Sequence, residues 1–230
     1  MRPMIGILAG MGPKSTAPFV DLVVEECQRQ YGAQNDMDFP PMMIYSLPTP
    51  FYIDRPIDHE AMKRTVAAGL RTLASTGVDF IAMPCNTAHA YFAELEKSID
   101  IPLLNIIAET VVNLPQKHQN STLFATSFTY DTGLYQKAIE ARGHTFVFRE
   151  EWQDRINTII RFVKDGDDHA ITLWRELLDD VYGESVDHVV NGCTDLSVVS
   201  AQAAPRIPMI DSARCLAQAV VKKYVCMRNQ

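Results

Sequence analysis

With 230 residues, 47% hydrophobic and 21% charged, the chain has the makeup of a folded globular protein, long enough for one large domain or two small ones. Its formal net charge of −7 argues against nucleic acid or an anionic membrane as the main partner, while an acidic small molecule could still be held by a local lysine or arginine. No uninterrupted apolar run approaches the roughly 18 residues of a membrane span. The five cysteines are odd in number, widely spaced and free of any Cys-x-x-Cys pair, and the six histidines form no close pair, so neither a metal centre nor a disulfide framework is expected. A reduced, cytoplasmic compartment fits that cysteine usage. The first apolar run, Met4–Leu8, leads into Ala-Gly-Met-Gly-Pro-Lys without an Ala-x-Ala-like cleavage site, and reads as a strand rather than a signal peptide.

In chain order, Ile5–Ala9 is expected to be a buried strand and Gly10-Met11-Gly12-Pro13 its turn. Gly12-Pro13-Lys14-Ser15 imitates a phosphate loop, but Pro13 separates the lysine from the glycine, and Ser15 breaks the dinucleotide pattern. What remains is a glycine loop at a helix start, whose backbone N–H groups can hold a carboxylate. Ser15 or Thr16 is expected to cap a helix with Phe19, Val23 and Cys27 on one face. Met42–Ser46 reads as a second strand. Residues 47–57, with prolines at 48, 50 and 56, read as a loop carrying Arg55. Met62, Val66, Leu70 and Leu73 predict a helix ending before Gly77; Ala88, Phe92 and Leu95 predict another, and Ile101–Asn105 a short strand.

Further on, Ser121–Ala125 reads as a strand followed by a polar turn at Thr126–Thr129. A helix through Leu134 and Ile139 stops near Gly143, and His144–Phe148 reads as a strand. Ile156, Ile160 and Val163 mark a helix ending at Lys164-Asp165-Gly166; another spans about 167–182, and a last one about 212–227. Cys27, Cys215 and Cys226 belong to helices and are expected to pack. Alternation of strand and helix throughout predicts an α/β architecture with parallel sheets.

Two stretches repeat. Val78-Asp79-Phe80-Ile81-Ala82-Met83-Pro84-Cys85-Asn86-Thr87 and Val186-Asp187-His188-Val189-Val190-Asn191-Gly192-Cys193-Thr194-Asp195 each begin Val-Asp, run through an apolar segment and place a cysteine at the same point. Each is followed by an Ile-Pro strand that ends at Asn105 or Asp211. The repeat predicts two similar domains, residues 1–108 and 109–211, with the last helix, 212–230, returning to the first, and a cleft where the cysteine-bearing edges face each other. Cys85 and Cys193 would sit at carboxyl ends of strands, where open α/β sheets bind ligands. A helix N-terminus there lowers a thiol's pKa towards thiolate. Two thiols on opposite faces of a carbon can exchange its proton, one removing it and the other delivering a new one. Asn86, Thr87, Thr194 and backbone N–H groups are suited to stabilise carbanion charge at an α-carboxylate; the alternative makes Thr87 and Thr194 only helix caps, and the two roles can coexist.

At these residues the sequence resembles the cofactor-independent aspartate/glutamate racemase family, in particular its aspartate racemase branch. Gly10-Met11-Gly12-Pro13, Pro84-Cys85-Asn86-Thr87-Ala88-His89 and Gly192-Cys193-Thr194 match three signature segments, and the resemblance spans essentially the whole chain. It implies two Rossmann-like domains related by a pseudo-two-fold axis, catalysis by Cys85 and Cys193 without pyridoxal phosphate or any other cofactor, an amino-acid substrate and a homodimer. It also implies substrate contacts from Met11, Gly12, Asn86, Thr87, Thr126 and Thr194. Val163-Lys164-Asp165-Gly166 resembles the family's lysine segment, and Asp54-Arg55 its Asp-Arg pair, so Lys164 and Arg55 are expected at the substrate's side-chain carboxylate, which an arginine can pair in bidentate fashion. Asp195 stands where many relatives carry Glu and glutamate racemases His, and Gly10-Met11 where glutamate racemases carry Asp-Ser; both favour the aspartate branch. Phe128 replaces the glycine usual in a Thr-x-Gly-Thr turn. A related thiol isomerase, decarboxylase or hydantoin racemase is the second reading. The third is an amino-acid-binding or redox-sensing protein, which would need the two cysteine Cα atoms within about 7 Å.

Overall fold

β1 (Ile5–Ala9) is apolar without alternation and buried at all five positions, as a central strand covered on both faces must be. The computed structural model describes residues 2–203 and 206–229. β1 pairs in parallel with β2 (Met42–Ser46), from Ile5 opposite Met42 to Ala9 opposite Ser46, and on its other side with β3 (Phe80–Ala82). β4 (Leu103–Leu104) adds to β3, giving the order β2-β1-β3-β4. The chain thus leaves β1 towards one edge and returns on the other side, so the point where the order reverses lies between β1 and β3.

The connecting helices follow the sequence pattern. α1 (Thr16–Tyr31) buries Phe19, Val23 and Cys27 and ends at Gly32, whose left-handed φ of 72° allows its N–H to close on the Cys27 and Gln28 carbonyls. α2 (His59–Ala74) starts at Asp58, whose side chain accepts from the Ala61 N–H, and buries Met62, Val66, Leu70 and Leu73. Two expectations needed correction. The segment predicted as a helix through Ala88, Phe92 and Leu95 is a 3-10 turn (Thr87–Tyr91), a single α turn, α3 (Phe92–Leu95), and a further 3-10 turn (Glu96–Ser98). Ala88, Phe92 and Leu95 are four and three residues apart, as on an α-helical face, yet Ala88 falls in a 3-10 turn, so spacing by itself does not fix the helix type. Only Leu103 and Leu104 of the predicted 101–105 strand enter the ladder. Pro102 has no N–H and offers just its carbonyl, which accepts from Ile81 N–H at 2.9 Å.

After α4 (Ile106–Val111) comes β5 (Asn120–Phe124), then α5 (Ser127–Asp131), α6 (Leu134–Ala141), β6 (Thr145–Phe146), α7 (Glu150–Asp165), α8 (His169–Tyr182), β7 (His188–Asn191), α9 (Thr194–Ser200), β8 (Met209–Asp211) and α10 (Ser212–Arg228). The second sheet has the order β6-β5-β7-β8, all parallel, which repeats the topology of the first, with its reversal between β5 and β7. Pro208 repeats the role of Pro102, accepting from Val189 N–H at 3.0 Å. Trp174 of α8 is fully buried, edge-on to Phe124 at 5.6 Å between ring centroids. The predicted turn at Thr126–Thr129 is instead a helix start: Thr126 Oγ1 accepts from Thr129 N–H and caps α5. The predicted strand 144–148 shrinks to two ladder residues, Thr145 and Phe146, and the buried His144 ring lies edge-on to His188 with centroids 5.6 Å apart.

The chain divides into two compact units, Met1–Ile106 with Ala213–Gln230, and Ile107–Ser212. In the first, α10 docks on α1 through Gln30 Nε2 donating to the Gln218 carbonyl at 3.0 Å and an Arg214–Glu25 ion pair at 3.1 Å. Among the described residues no helix is long and apolar enough to cross a membrane.

Candidate functional site

In the first unit, Gly10–Gly12 leaves the carboxyl end of β1 and Met83–Thr87 that of the adjacent β3, at the reversal point of the sheet. Gly10 is required there. Its φ is +90°, and a Cβ would stand 2.5 Å from Leu47 N and 2.8 Å from Leu47 O. Those are backbone atoms held by the Leu47 N–H bond to Ala9 O, so they cannot give way. Gly10→Ala is therefore expected to destabilise the protein by about 2 kcal/mol or more, read as a lower urea midpoint at unchanged m-value.

Ser15 and Thr16, read as helix caps, do something else. Ser15 occupies the position before α1 without a capping bond; its hydroxyl donates to Gly12 O at 2.9 Å, while Thr16 Oγ1 accepts from Gly10 N–H at 3.1 Å. Both tie down the glycine loop, in which Gly12 is buried and Met11 half-buried. The Met11–Gly12 peptide is cis.

Cys85 follows a tight turn at Pro84 in which its N–H donates to Met83 O at 2.8 Å. Cys85, Asn86 and Thr87 are all buried. The residue before the 3-10 turn is Asn86, with no side-chain capping bond, so the alternative of Thr87 as cap does not hold. Arg55 lies on the loop after β2, 64% exposed, with Asp54 Oδ1 at 3.7 Å and its guanidinium over the Tyr52 ring at 4.5 Å.

In the second unit the equivalent ends belong to β5, leading to Thr126, and to β7, leading to Gly192 and Cys193. Gly192 lets the turn approach β5: a Cβ would meet Leu123 Cδ1 at 2.9 Å and Tyr135 Cε2 at 3.2 Å, and its N–H continues the ladder to Phe124 O at 2.8 Å. Cys193 occupies the residue before α9, so Thr194 is not the cap; it is buried in the first helical turn. Lys164, at the end of α7, reaches Asp195 of α9, with Nζ 2.8 Å from Oδ2 and side chains 28% and 5% exposed. The other carboxylate oxygen, Asp195 Oδ1, is buried without a hydrogen-bond partner.

These surroundings reverse the expectation that the helix start makes Cys193 a ready thiolate. Burial, and then the Asp195 carboxylate, push its thiol up to about 12. The Leu196 and Asp195 amides and Lys164 pull the other way and are outweighed. The sequence reading also missed His89, whose ring lies between the Cys85 carbonyl and the Ile106 amide, and the role of Asp195 as partner of Lys164. An acidic residue two positions after the cysteine was the available signal, but which lysine it meets depends on the docking of α7 on α9. Among the described residues no group of three or more His, Cys, Asp or Glu could hold a metal ion.

The Asp/Glu/hydantoin racemase family model matches residues 8–220. The broad specificity amino-acid racemase RacX of Bacillus subtilis (strain 168) is 43% identical over 228 residues, covering 98% of this chain and 100% of that protein. A glutamate racemase of Persephonella marina is 31% identical over 160 residues, covering 66% of this chain and 60% of its own length. Of solved structures, Picrophilus torridus aspartate racemase has a TM-score of 0.80 at 27% identity, over 97% of this chain and 94% of that one. An aspartate racemase homologue from Pyrococcus horikoshii OT3, 23% identical, shares the fold with a TM-score of 0.75 over 98% of this chain and 100% of its own. With a family match over nearly its whole length, and a 43% identical relative aligned from end to end, the chain belongs to the Asp/Glu/hydantoin racemase family and is an isomerase.

Proposed function

We propose that this protein inverts the α-carbon of amino acids, aspartate, glutamate or close relatives among them, by proton transfer between Cys85 and Cys193 and without pyridoxal phosphate. The observation that carries the reading is the placement of each cysteine at the reversal point of its own sheet, beside β1/β3 and β5/β7. One thiolate takes the α-proton as the C–H bond breaks. The electron pair is held by the α-carboxylate, and the other thiol gives its proton to the opposite face, leaving the two sulfurs with exchanged protonation. Cys193, its thiol raised by burial, suits the donor's part in the free protein. Asn86, Thr87, Thr194, Thr126 and the Met11–Gly12 backbone are the groups proposed to hold the α-carboxylate as charge develops. The family resemblance extends the proposal to a homodimer in the cytoplasm.

The Lys164–Asp195 pair bears on the substrate. A dicarboxylate needs a cation, and Lys164 is shared with Asp195. A neutral amino acid needs no such exchange, and this supports a range wider than aspartate and glutamate, as the name of the Bacillus subtilis relative suggests. Asp195→Asn is expected to raise the kcat/KM ratio of aspartate over a neutral amino acid by about tenfold, and Lys164→Ala to lower it by a similar factor. Taking the ratio cancels any effect of Asp195 on Cys193. Ratios unchanged in both variants would remove Lys164 from recognition.

The reading as a whole is tested by incubating single enantiomers of acidic, neutral and basic amino acids, and of a 5-substituted hydantoin, with the protein and separating products by chiral chromatography. Racemisation of at least one amino acid without added pyridoxal phosphate is expected. Activity on the hydantoin alone, or on none of them, would overturn it.

A further inference from the structure

His89 is buried, and both its ring nitrogens face backbone. Nδ1 lies 2.7 Å from the Cys85 carbonyl oxygen. Nε2 lies 3.1 Å from Ile106 N, with Leu104 O at 3.3 Å. A carbonyl on one side demands a donor and an amide on the other demands an acceptor. The neutral ring with hydrogen on Nδ1 satisfies these two closer partners; hydrogen on Nε2 would serve the more distant Leu104 carbonyl but oppose N–H to the Ile106 N–H and a lone pair to the Cys85 carbonyl. Burial pushes the ring's pKa down to about 4, so it is uncharged at neutral pH. The ring stacks on Phe92, centroids 5.5 Å apart and planes 13° from parallel.

A histidine so placed has no nitrogen left for substrate. We infer that His89 is a positioning residue for the Cys85 thiol: by clasping the Cys85 carbonyl and the Ile106 amide it anchors the cysteine turn to the end of the neighbouring strand and fixes where the sulfur points. The second unit anchors its cysteine turn differently. Asn191, two residues before Cys193, donates from Nδ2 to Asp211 Oδ2 at 2.8 Å and to Ser197 Oγ at 3.3 Å, and Ser197 is the fourth residue after Cys193 as His89 is after Cys85. Both units thus tie the turn to the strand that follows, the first through a single ring.

The inference rests on the two-thiol reading, and its test separates the two. His89→Asn puts an amide N–H near the place of Nδ1 and keeps the bond to Cys85; His89→Gln reaches Ile106 with its oxygen and loses it. His89→Gln is expected to lower kcat about a hundredfold, the loss that a displacement of about 1 Å brings, with KM within about threefold, while His89→Asn stays within about fivefold of the parent. A purely structural role would make the losses follow melting temperature instead. A substrate analogue with a leaving group on the β-carbon gives the hand-specific readout, since loss of the α-proton to one sulfur and departure of the group with its electron pair need one base only. His89→Gln should slow elimination from the enantiomer that Cys85→Ser abolishes, and leave the other unchanged. If Cys85→Ser racemises normally, the two-thiol reading fails. If it does not, while His89→Gln is unimpaired or slows both hands equally, the His89 inference fails by itself. Should His89→Gln not fold, nitrogen-15 NMR of the parent protein at neutral pH decides: an Nδ1–H neutral ring is expected, and an Nε2–H or charged ring overturns the inference.

Discussion

Cys85→Ser and Cys193→Ser are each expected to lower racemisation by about a thousandfold or more, the range lost when a positioned acid or base is removed. A serine hydroxyl is far too weak an acid to deliver a proton to a carbanion at the rate of a thiol, and its conjugate base is not accessible near neutral pH. In the proposed two-thiol reaction each enantiomer would give its α-proton to a different sulfur, so either substitution would interrupt both directions. In D₂O, product formed early should carry deuterium at the α-carbon while unreacted substrate stays largely undeuterated, because the sulfur that delivers the new hydrogen has exchanged with solvent and is not the one that received the proton. Early deuterium in the remaining substrate would point to a single base that returns what it removes. A serine variant active at the parent rate would end the two-thiol reading, and the repeated cysteine turns would need another explanation.

The second large effect concerns stability in mild acid. His188 is buried, its Nε2 is 3.0 Å from Ser121 Oγ, and its Nδ1 has no hydrogen-bond partner. Burial, followed by the neighbouring His144, pushes its pKa down to about 4, the value that burial also imposes on His89. A histidine with a depressed folded pKa binds fewer protons than in the unfolded chain. Its contribution is therefore complete above the unfolded value near 6.5 and is lost as pH falls from there towards 4. Each ring is expected to remove about 3 kcal/mol across that window. Carboxylates act lower. Glu26, despite the burial that opposes it, is held below the usual carboxylate range by Arg29 and Gln30, and loses its contribution as pH falls through and below that range. Urea midpoints measured from pH 7.5 to 4.5 should fall steeply below 6.5, and His188→Gln should flatten that fall by about half. A parent protein equally stable at pH 6.5 and 4.5 would show that the rings are accommodated as cations.

Much of this protein is legible from local pattern. The continuous apolar run Ile5–Ala9, the stripe Met62, Val66, Leu70 and Leu73, and the glycines that close helices act through neighbours a few residues away, and their spacing carries strand or helix with it. The internal repeat placed each cysteine at a strand end, because equivalent sequences meet equivalent backbone positions. Packing decided the remainder. Helical spacing at Ala88, Phe92 and Leu95 did not distinguish an α-helix from 3-10 turns. Ser15 and Thr16 have the chemistry of caps, yet the glycine loop folded back within reach and took their bonds. A helix start does favour a Cys193 thiolate, but burial and Asp195 outweigh it. The meeting of Lys164 with Asp195, and of the His89 ring with Cys85 and Ile106, joins groups from separate elements. Such pairings depend on how elements dock, and charges and ring nitrogens take their final character from the solvent excluded around them and the partners brought close.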